Sequence, residues 1–310
     1  MSKVAKTEIT SKLSSLVCLA TIVLLTVLGC VPKEFTGSDE VSKTAEVRYQ
    51  IGINYLGEGK TPQALKEFLA AQALSPKNPD IEHALGLAYQ QKGLNDQAIQ
   101  QYNKALYLDP KLTEARNNLG TVLLTKGLYD EAIAQFELCL KDHLYTTPEK
   151  AAYNLGLAYY KKKDIDKSIE YYQKAVQLKG DNVNAMYNLA FILEEKQDFP
   201  KALEQYRKVV TIEPSFKEAH YRLGLLYDRQ GDCPKGMESL EKAVKVDSHY
   251  LPAHLRLGTM QLKCGNPEKG RKNLEQVARA DPEGALGKEA MAEMSRAPMR
   301  TGPRSKITGR

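Results

Sequence analysis

The chain has 310 residues, is 42% hydrophobic and 26% charged, and carries a formal net charge of +6. This balance suits a folded globular protein and excludes a wholly disordered one. So mild a positive charge also argues against a dedicated nucleic-acid binder, which concentrates basic residues on one face.

The start of the chain is unlike the rest. Residues 1–12 carry Lys3, Lys6 and Lys12 against Glu8, and residues 13–29, LSSLVCLATIVLLTVLG, carry no charge. A basic stretch before an apolar one is the pattern of an export signal. The apolar run ends in Val27-Leu28-Gly29-Cys30, which resembles the bacterial lipobox. That resemblance implies that residues 1–29 are a lipoprotein signal peptide and that Cys30 becomes a lipidated N-terminus holding the chain to a membrane. Val31, a residue other than Asp after the cysteine, implies by the same resemblance the outer membrane, on its periplasmic face. Residues 30–44 are expected to form the lipidated N-terminus and a flexible polar tether, which reaches at most ~50 Å.

From residue 45 the sequence repeats. The pattern Leu-Gly-x-x-Tyr and its variants place Gly52, Gly86, Gly120, Gly156, Ala190, Gly224 and Gly258 at spacings of 34, 34, 36, 34, 34 and 34. Twelve residues after each stands a small residue, Ala64, Ala98, Ala132, Ser168, Ala202, Gly236 or Gly270. Four further on stands Phe68, Tyr102, Phe136, Tyr172, Tyr206, Leu240 or Leu274. Small residues let two helices approach closely, and apolar positions recur at helical spacing in each half. The register resembles the tetratricopeptide repeat, a 34-residue helix–turn–helix unit. It implies an all-α solenoid, a right-handed superhelix of about seven repeats: 45–78, 79–112, 113–148, 149–182, 183–216, 217–250 and 251–284. Residues 285–297 suit a capping helix, and 298–310 a basic disordered tail.

No catalytic constellation is present, so an enzyme is not expected, nor is a cofactor or a small-molecule substrate. His220 and His254 stand one repeat apart at the same helix position and read as repeat echoes rather than metal ligands. Glu194 and Glu195 read as a solvated face. Cys139 falls in a small column held elsewhere by Ala71, Ala105, Ala175 and Ala243, which suits core packing. Cys233 and Cys264 are both expected at one edge of the stack. In an oxidising compartment they are a candidate disulfide pair; two separate thiols remain the alternative.

In the repeat family the first helix lines a groove, mainly at its positions 2, 5, 9, 12 and 13. The resemblance places Tyr153, Leu157 and Tyr160, then Tyr187 and Phe191, then Tyr221 and Leu225 on that face. An open apolar stripe of this kind marks a partner site, and tyrosine is a common interface anchor. Asn118, Asn154 and Asn188 recur at position 6, where an amide could meet a peptide backbone.

The stretch KDHLYTTPEKAAYNLG, residues 141–156, carries two extra residues between the third and fourth repeats. Thr147 and Pro148 suit a helix cap and first turn, and Tyr145 is expected to be presented on the loop. With its Asn-Asn-x-Gly repeat, Tyr-x-Glu-Ala turn and Asp-x-x-Tyr-x-x-Pro link, the region resembles the type IV pilus pilotins, the PilF/PilW/Tgl family of outer-membrane lipoproteins. The resemblance implies that the chain binds secretin subunits and promotes their outer-membrane localisation and multimerisation. A different cell-envelope scaffold lipoprotein, in outer-membrane protein assembly or polysaccharide export, is the alternative reading.

Overall fold

The computed structural model describes residues 37–296; Cys30 with its lipobox, the first part of the tether and the basic tail lie outside the described residues. Among those described, the chain forms fifteen α-helices and no strand. It divides into two compact units, one ending at Val122 and one beginning at Leu123. In the first unit α1 (Gly37–Gly57) pairs with α2 (Thr61–Leu74), and α3 (Pro79–Gln91) with α4 (Asn95–Leu108). The division falls within α5 (Thr113–Thr125). In the second unit α6 (Tyr129–Lys141) is followed by four pairs. These are α7 (Pro148–Lys161) with α8 (Ile165–Leu178), α9 (Val183–Glu195) with α10 (Phe199–Ile212), α11 (Lys217–Arg229) with α12 (Cys233–Val246), and α13 (Leu251–Lys263) with α14 (Pro267–Ala280). A last helix, α15 (Ala285–Arg296), buries Ala290 against Leu255, Leu274 and Val277 of the final pair.

The glycine column sets how closely each pair closes. A Cβ on Gly86 would lie 2.5 Å from the ring of Tyr102, one on Gly156 2.7 Å from Tyr172, and one on Gly258 2.8 Å from Leu274. The large side chain of the second helix therefore lies flat on the bare backbone of the first. Tyr102, Tyr172 and Leu274 are almost fully buried as a result. The second small column brings the backbones together one turn away. There the Ser168 hydroxyl donates to the Gly156 carbonyl at 2.7 Å, and a Cβ on Gly270 would meet the Gly258 carbonyl at 2.8 Å.

Each hairpin turns through one left-handed residue. Gly59, Gly93, Gly127, Gly231 and Gly265 have φ between 73° and 96°. In the fourth and fifth repeats the same position holds Lys163 (φ 65°) and Gln197 (φ 64°), where a side chain strains against the backbone. Helix starts are fixed by side-chain caps, with Asn78, Asp164, Asn182, Asp198 and Asp232 accepting from backbone N–H groups of the following turn.

Two expectations need correction. Helix α1 begins at Gly37, so the second half of the expected tether is helical. Asp39 and Glu40 sit in its first turn, where acidic side chains favour the positive end of a helix. The link before α7 also differs. Tyr145 is 7% exposed, packed against Cys139 and Ala151, whereas Leu144 is 89% exposed. Asp142 shapes the turn by accepting from the Leu144 N–H at 2.9 Å, and its carbonyl accepts from the Tyr145 N–H at 3.2 Å. The tyrosine folds back over the small Cys139 side chain, and Pro148 opens α7 behind Thr147, which makes no side-chain cap bond.

Replacing Lys163 or Gln197 by glycine removes the left-handed strain at no cost in contacts within the helices. Each substitution should stabilise the protein by about 0.5–1 kcal/mol, read as a higher denaturant midpoint with an unchanged slope. An unchanged midpoint for both would contradict the strain argument.

Candidate functional site

The aromatic stripe expected on the first helices is present but half-buried. Tyr153 packs on Tyr172 and Tyr187 on Tyr206, each pair with ring centroids 5.6 Å apart. The first-helix tyrosine thus leans on the same ring that covers the glycine column. Tyr187 also stacks on Phe216 at 5.0 Å, and Tyr221 meets the edge of Tyr250 at 5.6 Å.

Between the fourth and fifth repeats the stripe opens into a cleft of about 240 Å³. Leu157, Tyr160, Tyr187 and Phe191 line it with Lys161, Asn188 and the buried Tyr172 and Ile192. Four of the seven expected groove residues are brought together there. Tyr153 lies behind the cleft, hydrogen-bonded to its wall. Tyr221 belongs to a separate cluster with Leu240, Leu257 and Met260, and Leu225 does not line the cleft.

Polar side chains fix the walls. The Asn188 amide donates to the hydroxyls of Tyr153 at 3.1 Å and Tyr172 at 3.3 Å, so its donors already serve the protein. Tyr160 donates to Glu195 at 3.1 Å. Glu194 is not a solvated carboxylate, as its sequence context suggested. It accepts from Tyr206 at 2.9 Å and from Arg222 at 3.4 Å, and its side chain is 19% exposed. The Arg222 guanidinium lies over the Phe191 ring, 5.0 Å from its centroid. Burial works against the charge on Arg222, but Glu194 and the Tyr206 and Tyr187 hydroxyls outweigh it and hold its pKa above the ordinary value. Burial, reinforced by Glu194, raises Tyr206, and burial raises Tyr172; both stay protonated, Tyr206 donating to Glu194 and Tyr172 accepting from Asn188.

Arg222 is the residue that sequence reading missed. It occupies the position-6 column of Asn118, Asn154 and Asn188, and that column was the available signal. Elsewhere in the column Asn118 bonds His83 at 2.9 Å, so two of the three asparagines expected to meet a peptide backbone bond side chains within the protein. His220 and His254 each bond a carbonyl six residues upstream, Pro214 at 2.9 Å and Ser248 at 3.0 Å, and tie down the turn before their helix. Among the described residues no group of His, Cys, Asp and Glu is placed to hold a metal ion, and no helix is long and apolar enough to cross a membrane. Cys233 at the start of α12 and Cys264 at the end of α13 form a disulfide with Cα atoms 6.2 Å apart.

Sequence models described as tetratricopeptide repeat or TPR repeat match residues 52–93, 91–127, 112–143, 149–214 and 187–250, together well over half of the chain. No curated protein matches the chain. Among solved structures, PilF from Pseudomonas aeruginosa is similar at 20% identity and a TM-score of 0.57, over 83% of this chain and 100% of that one. The C-terminal part of a TPR repeat-containing protein from Cytophaga hutchinsonii gives 16% identity and a TM-score of 0.64, over 79% and 99%. MamA from Desulfovibrio magneticus RS-1 gives 28% identity and a TM-score of 0.51, over 56% and 97%. These likenesses establish the fold.

The disulfide closes a 31-residue separation between the last two repeats, a constraint of about 3–4 kcal/mol. Contacts in a repeat stack are local. Reduction, or Cys264→Ser, should therefore remove hydrogen-exchange protection first from α13, α14 and α15. Uniform loss across the second unit would contradict this.

Proposed function

The chain belongs to the tetratricopeptide-repeat family, a protein-binding scaffold, and from that premise we propose that it is an outer-membrane lipoprotein of the pilotin type. It binds secretin subunits and promotes their outer-membrane localisation and multimerisation in type IV pilus biogenesis. The observation that carries the binding step is the cleft formed by Leu157, Tyr160, Tyr187 and Phe191. Its volume of about 240 Å³ is below that of a typical small-molecule pocket and suits one large apolar side chain of a bound segment. Its aromatic walls are the kind that anchor protein partners. The lipobox ending at Cys30 and the Asp142, Tyr145 and Pro148 link support the assignment to pilotins.

The work is physical rather than chemical. Lipid on Cys30 holds the scaffold on the periplasmic face of the outer membrane, where one acyl chain alone gives only marginal attachment and several give a stable one. A secretin segment caught in the cleft is then held at the surface where its ring assembles, and its local concentration rises without any further contact.

The test is the secretin multimer in outer membranes of cells lacking this gene. Multimers should be absent there and restored by the wild-type chain but not by Cys30→Ala. A Leu157→Ser/Phe191→Ser chain, folded by circular dichroism and still in the membrane, should bind secretin at least about tenfold more weakly. Normal multimers in the deletion strain would overturn the proposal.

A further inference from the structure

The first helix of every later pair hides two columns. One holds Ile81 and then alanine in five repeats. The other holds Leu85, Leu119, Leu155, Leu189, Leu223 and Leu257. All of these side chains are 0–4% exposed. In α1 the same two positions hold Val47 and Ile51, which are 58% and 40% exposed. Val41, in the helical extension ahead of the repeat, is 43% exposed, and residues 39–44 are exposed throughout. A terminal repeat stays soluble by turning a polar face outward. This one keeps the aliphatic residues of an internal repeat.

We infer that this face of α1 pairs with α1 of a second copy of the chain. The face continues the interface that buries the same columns six times within the molecule, so its complement is a helix carrying an aliphatic stripe. Helix α1 carries one itself. Antiparallel pairing about a twofold axis near Tyr49 sets Val47 of each copy on Ile51 of the other and Thr44 opposite Asn54, a self-complementary contact. A lipid surface fits less well. Residues 31–51 hold Lys33, Lys43 and Arg48 against Glu34, Asp39, Glu40 and Glu46, without the basic excess of an interfacial helix. A single helix pair lies at the small end of protein interfaces, so the dimer is reversible. The inference rests on the lipoprotein reading in one respect: with residues 1–29 removed, only the seven residues 30–36 precede α1, a length of at most ~25 Å even fully extended and too few for a second helix to cover α1.

Sedimentation equilibrium of the mature chain over a wide concentration range tests this, with the mass of its N-terminal peptide reporting the cleavage separately. The wild-type chain should form a dimer, and Ile51→Glu should weaken it by about tenfold or more. Val47→Cys should cross-link to itself through a short bismaleimide, while Leu144→Cys, more exposed but not on α1, should not. Val47→Gln keeps the inference testable if Ile51→Glu fails to fold. A wild-type chain that stays monomeric would overturn the inference and leave the face to a helix of another protein. Vesicle binding by a monomer, lost in Ile51→Glu, would overturn it in favour of lipid. A dimer indifferent to Ile51→Glu would place the contact elsewhere and overturn it too.

Discussion

A large side chain pressed flat on a glycine sets the geometry on which the rest of this molecule depends. In five of the six pairs, at Gly52, Gly86, Gly156, Gly224 and Gly258, a bare backbone on the first helix receives a ring or a leucine from the second, and the helices close to a distance that a Cβ would prevent. The contact does more than hold the pair. In the fourth and fifth repeats the covering rings, Tyr172 and Tyr206, extend past the contact and support Tyr153 and Tyr187. Two aromatic side chains on the groove face are thereby held at fixed tilts, and the cleft between Leu157, Tyr160, Tyr187 and Phe191 takes its shape from them. Packing inside the pairs and the character of the proposed binding face are set by the same residues.

Polar groups complete the cleft by using one another. Glu194 pairs with both Tyr206 and Arg222, and Arg222 in turn covers Phe191. A carboxylate taken largely out of water needs such partners. Its cost is offset here by a tyrosine that burial keeps protonated and an arginine that remains charged. Asn188 spends its donors on two tyrosines. The wall is therefore preorganised, which would reduce the side-chain entropy lost on entry of the proposed partner. The two strained turns, at Lys163 and Gln197, belong to the two repeats that build the cleft.

Much of this was legible in the sequence because the contacts that build a repeat are local and recur. The glycine, small-residue and aromatic columns define the helix pairs, and the resemblance to the repeat family assigns the groove residues to the first helices. What was not legible depended on contacts that the repeat pattern does not encode. Tyr145 reads as a loop residue, yet it finds a hydrophobic seat because Cys139 and Ala151 are small and Asp142 bends the chain back toward them. Glu194 looks like half of an exposed acidic pair. Its burial depends on Arg222, 28 residues away, and no periodicity announces such a pairing. Residues 37–44 look like a tether because they lack an apolar stripe, yet they continue a helix already fixed by Ala45 and the turns behind it. Such extensions follow from their attachment rather than from their own composition.

The central claim is that the cleft of the fourth and fifth repeats holds an apolar segment of a secretin subunit at the membrane. Its most direct test is a photo-crosslinking amino acid at Phe191 in the full-length lipoprotein, activated in living cells, with the trapped peptide sequenced. The account predicts a secretin adduct from position 191 and none from the exposed Lys208 on α10. A trapped protein unrelated to secretins, or equal secretin trapping at both positions, would contradict it.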